Sequence, residues 1–84
     1  MEQSKEFLLF KLGDQLKSLR YSIPGLTLEK LSELSGISRN NINLIEQGKI
    51  EPQILTLRKL VQVLGISLSD FFNFNLFPFS EQQF

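Results

Sequence analysis

The sequence predicts an all-α domain of five helices, and three observations predict it. Apolar residues recur at three- and four-residue spacings along most of the chain. Ser, Thr or Gly stands at the ends of those periodic stretches, where helix caps belong. No stretch alternates polar and apolar residues as a half-buried strand does. The 84 residues suffice for one domain, which buries about 60–65% of its unfolded surface.

Leu8, Leu12, Leu16 and Leu19 make the stripe of a first helix over about 5–21. Gly13 inside it weakens the helix and marks a close helix contact. Pro24-Gly25 then suits a type II turn. Thr27 caps a second helix from Leu28 to about Leu34, which is expected to bury Leu31 and Leu34. Ser35-Gly36 breaks it. Ser38 caps a third helix from Arg39 to Gln47, stopped by Gly48. After a loop through Pro52, Leu57, Leu60, Val61 and Leu64 give a fourth helix ended by Gly65. Ser67 and Asp70 have capping-box spacing and open a short fifth helix to about Phe74.

Composition removes several classes of function. The chain has no cysteine and no histidine. That excludes disulfides and zinc-finger patterns, along with the usual neutral-pH general base and nitrogen metal ligand. No metal or cofactor is expected. There is no phosphate-binding G-x-x-x-x-G-K-[ST] loop and no nucleophile with a base partner, so no enzyme is expected. Glu29 and Glu33, one turn apart, read as surface charge. The first residues lack a signal peptide's basic and apolar regions, and no segment has the ~20 apolar residues of a membrane span. A cytoplasmic protein without a membrane partner is the expectation. Net charge is zero, but eight bases face five acids between Lys11 and Lys59, and the compensating acids lie towards the ends.

The second and third helices form helix, tight glycine turn, helix within about twenty residues. In a helix-turn-helix, the first of two such helices props the second into the DNA major groove. Gly36 gives the turn its backbone freedom, and Ile37, Ile42 and Ile45 face inward.

Three patterns then stand in order with fitting gaps. LTLEKLSELSGISRNNINLIEQGK (26–49) follows LGDQLKSLR (12–20) and precedes LRKLVQVLGISLSDFF (57–72). Over roughly residues 8–72 the chain resembles the Cro and phage-repressor type helix-turn-helix family of bacterial and phage transcription regulators. The resemblance implies a compact five-helix, lambda-repressor-like DNA-binding domain over 5–74. It also implies a sequence-specific regulator of double-stranded DNA, with residues 39–47 as the reader helix in the major groove.

Carried over by position, the resemblance assigns base reading to Ser38, Arg39, Asn40, Asn43 and Leu44. Arginine can grip guanine O6 and N7 with two bonds, and asparagine can pair with adenine N7 and N6. Leu44 cannot hydrogen-bond, so its place is against a thymine methyl. Phosphate contacts fall to the helix N-termini at Thr27 and Ser38 and to Asn41, Gln47 and Lys49, with Lys17 and Lys30 as weaker candidates. The family often has Gln at the start of its second helix, touching phosphate or supporting the reader residues. The matching place here is Leu28, a departure at an expected DNA contact. The turn between the first two helices is also one residue longer than usual. An arginine late in the family's first helix often pairs with the glutamate ending the third, which implies a structural salt bridge between Arg20 and Glu46.

Six of the eight phenylalanines fall between Phe71 and Phe84. So much aromatic surface is too apolar to leave exposed on a small monomer. Either residues 75–84 fold back over the domain, or they seal a subunit interface. The interface is favoured, with Phe71, Phe72, Phe74, Leu76, Phe77 and Phe79 in it. A homodimer on a palindromic operator follows, since a two-fold dimer places two reader helices about one DNA turn apart. The chain leaves no room for an effector domain, so no small-molecule effector is expected. The competing reading is a helix-turn-helix protein-interaction module, such as an antitoxin or small adaptor.

Overall fold

The structure, a computed structural model, describes residues 4–73. Helix α1 is Lys5–Tyr21, α2 Leu28–Ser35, α3 Arg39–Glu46, α4 Ile54–Leu64 and α5 Leu68–Phe71. Side chains cap four of the five N-termini: Ser4, Thr27, Ser38 and Ser67 each accept a backbone N–H three residues on. Ser4 was not anticipated from the sequence. Pro24-Gly25 forms the expected turn, with the Leu26 N–H donating to the Ile23 carbonyl at 3.2 Å and Gly25 at φ 79°.

All five helices contribute to one core. Leu16, Leu31, Ile42, Ile45, Leu57, Leu60, Val61 and Phe71 are buried, with Leu26 from the turn. Helix α3 packs on α1 and α2, α2 on α4, and α5 on α4. Among the described residues, no buried side-chain nitrogen or oxygen lacks a hydrogen-bond partner.

Three expectations need correcting. Leu34 is exposed, because the inward stripe of α2 runs through Leu28, Leu31, Ser32 and Ser35. Helix α5 ends at Phe71. Phe71 is fully buried in the chain's own core, so its ring has no surface to give an interface. The Gln15 amide also donates to the Phe71 carbonyl at 3.3 Å. Phe72 is half-buried and meets Phe71 edge-to-face, with ring centroids 5.2 Å apart. Phe74, Leu76, Phe77 and Phe79 lie outside the described residues.

Gly13 is buried where α1 crosses α3. A Cβ there would stand 2.3 Å from the Ile45 carbonyl oxygen and 2.8 Å from that of Glu46. The absence of a side chain sets how closely the two helices approach.

Candidate nucleic-acid interface

Helix α3 is held by its apolar side. Ile42 and Ile45 are buried, and Ile37 before the helix packs on the same core. The opposite side is polar and open. Arg39 and Asn40 are exposed, Asn41, Asn43 and Leu44 are half-buried, and Ser38 and Gln47 at the two ends are exposed. Leu44 is half-buried and is not part of the central hydrophobic cluster.

Two caps fix the ends of this face. The Ser38 hydroxyl accepts the Asn41 N–H at 3.1 Å. At the other end the Lys49 N–H donates to the Leu44 carbonyl at 2.9 Å, and the Gly48 N–H to that of Ile45 at 3.0 Å. This crossed pair is the Schellman motif, and it needs a left-handed residue, here Gly48 at φ 74°. It sets the direction in which Lys49 leaves the helix, with its side chain exposed.

Helix α2 brings a second N-terminus to the same place. Thr27 caps it by accepting the Lys30 N–H at 3.0 Å. Glu29 in its first turn meets Arg39 in the first turn of α3, Oε2 to Nε at 2.8 Å. Two helix N-termini, each with free N–H groups and positive dipole ends, therefore lie side by side. Leu28 does not join them, because its side chain packs against the core. The position offers no side-chain hydrogen bond.

Helix α3 is tied to α1 by a buried ion pair. The Arg20 Nε donates to Glu46 Oε2 at 2.7 Å and its Nη2 to Oε1 at 3.0 Å. Its Nη1 donates to the Leu26 carbonyl at 3.0 Å. Both side chains are buried, and the guanidinium rests against the Tyr21 ring 4.8 Å from the centroid. The hydrogen bonds to Glu46 raise the Arg20 pKa further above its ordinary value, against the opposing pull of burial.

Glu29 is the exposed surface charge that its spacing suggested, but its pairing with Arg39 was not anticipated. Glu29 lies ten residues before Arg39 on a different helix, and no intrahelical spacing relates the two.

An exposed polar helix face on α3, propped by α2 across a tight glycine turn and carried on the other helices described, is the arrangement of a helix-turn-helix domain. Residues 24–71 match the helix-turn-helix family HTH_3, and the chain belongs to it. It is 44% identical over 61 residues to the HTH-type transcriptional regulator PuuR of Escherichia coli, covering 73% of this chain and 32% of PuuR. It is 34% identical over 61 residues to the uncharacterized HTH-type transcriptional regulator MJ0272 of Methanocaldococcus jannaschii, covering 73% of this chain and 91% of that protein. A crystal structure of an HTH_3 family transcriptional regulator from Vibrio cholerae superposes with a TM-score of 0.74 at 36% identity. That match covers 82% of this chain and 38% of the other. The chain thus spans about a third of PuuR's length. The relatives that share this helix-turn-helix are named as transcriptional regulators. Among the described residues no helix is long and apolar enough to cross a membrane.

Proposed function

We propose that this regulator reads double-stranded DNA sequence-specifically as a homodimer, each α3 lying in the major groove of one half of a palindromic operator. The observation that carries the proposal is the open face of Arg39, Asn40, Asn43 and Leu44 beside the paired N-termini of α2 and α3. Arg39, Asn40 and Asn43 are the base readers. Thr27, Ser38, Asn41, Gln47 and Lys49 hold phosphate.

Selection from random duplex oligonucleotides tests this reading. The expected product is a two-fold symmetric motif whose half-sites are centred about one helical turn apart. Affinity for it should fall steeply with rising salt. The lack of net positive charge favours one other reading, a protein-binding module. No duplex binding even at low salt would select that reading instead.

Dimerisation supplies specificity that one reader helix lacks, since a single module makes few base contacts. Phe72 borders an open apolar groove formed with Leu8, Leu12, Pro52, Ile54 and Leu57. This groove and the residues that follow Phe72 are the proposed interface. Phe72→Glu is expected to yield monomers by light scattering and to weaken operator binding. A dimer that survives this change and Phe77→Glu together would place the interface elsewhere.

A further inference from the structure

The geometry points to Glu29 as a positioning residue for base readout: its carboxylate holds the Arg39 guanidinium by Nε, leaving the outer edge for guanine. This rests on the proposal above that Arg39 reads a base. A guanidinium offers five N–H donors in one plane. Glu29 Oε2 takes the Nε side at 2.8 Å. The remaining edge carries Nη1 and Nη2, the pair that can reach guanine O6 and N7 together.

The exposure of the pair argues for orientation over stability. The Arg39 and Glu29 side chains are 56% and 70% exposed, and ion pairs so open to water contribute little to folding. What the contact restricts is the long arginine side chain, which otherwise loses its freedom only on meeting DNA. Of the two acids on α2, Glu33 is engaged within its own helix, 3.6 Å from Lys30. Glu29 is the one that reaches across to the reader helix.

A carboxylate beside a DNA-facing helix also repels phosphate. Glu29 therefore weakens binding to every sequence while favouring those that give Arg39 a guanine. Discrimination of that kind combines an attractive and a repulsive element at one site.

The test compares base preferences from random-oligonucleotide selection for the wild type, Glu29→Ala and Arg39→Ala, with binding to random duplex measured alongside. Glu29 is exposed, so its variant should melt close to the wild type. Arg39→Ala should flatten the preference for guanine at one position of each half-site. Glu29→Ala should bind random duplex at least as tightly as the wild type. At that same position its preference for guanine should fall by about threefold or more, a fraction of what a bidentate contact supplies. If Glu29→Ala strengthens binding to all sequences equally and leaves that preference intact, Glu29 is only a repulsive charge and the inference fails. If Arg39→Ala changes no position, the base-reading role of Arg39 falls first, and this inference with it.

Discussion

Glu46→Ala is expected to destabilise the domain by about 3–5 kcal/mol, because Arg20 would remain buried without its counter-charge. For a domain of this size that is a large share of a total stability of roughly 4–13 kcal/mol. The melting temperature should fall by upwards of about 12 °C, read by circular dichroism. The geometry is what makes the loss so large. Glu46 takes two N–H donors of Arg20, at 2.7 and 3.0 Å, at a site closed to water. The third contact, from Arg20 to the Leu26 carbonyl, holds the guanidinium where it is and limits its escape to solvent. A second variant separates charge burial from lost packing. Replacing both partners by apolar residues, Arg20→Met with Glu46→Leu, should recover much of the stability. A wild-type melting temperature in Glu46→Ala would show that the pair holds nothing together. The raised Arg20 pKa fixes the sign with pH. Arg20's share of the stability is fully present below the ordinary arginine range and is lost only as pH rises through its higher folded value.

Gly13→Ala is the second large effect, and its sign opposes the usual rule. In an ordinary helix interior the change stabilises by up to ~1 kcal/mol. Here the new methyl group would meet the carbonyl oxygens of Ile45 and Glu46, which are backbone atoms and cannot rotate aside. Overpacking of this kind costs about 1–3 kcal/mol. The Ile45 carbonyl also accepts the Gly48 N–H that closes α3, so the strain reaches the end of α3. The expected outcome is a lower urea midpoint with an unchanged slope, and operator affinity that falls while the variant is still folded. A raised midpoint would mean that α1 and α3 separate freely, and that Gly13 does not set their distance.

Both predictions concern the seam between α1 and α3, and the sequence disclosed its two halves unequally. The role of Gly13 was legible as an unfavourable glycine within a periodic helix. Its contact atoms were not, because a crossing point depends on how two helices are inclined. The Arg20–Glu46 pair was legible only through family resemblance, since the partners lie 26 residues apart. The turn at Pro24-Gly25 and the caps at Thr27, Ser38 and Ser67 were legible directly, because each is a local hydrogen bond between residues three apart. The polar face of α3 was legible as the residues left over when Ile42 and Ile45 turn inward.

Two of the misreadings share one cause. Leu34 and Phe71 were placed by hydrophobicity, the first inside and the second on an interface, and the structure reverses both. Hydrophobicity says that a side chain gains by leaving water but not which neighbour receives it. Leu34 lies off the stripe that α2 turns towards the core. Phe71 sits on a one-turn helix whose direction is set by its packing on α4.

By itself the sequence determined the five helices, their caps and turns, and the polar face of α3. These depend on spacing within a few residues, which the chain states directly. The tertiary structure alone decided that Glu29 meets Arg39, that Phe71 completes the core, and that the α3 carbonyls lie against Gly13. Those contacts join residues from different helices, and their distances exist only once packing has fixed how the helices cross.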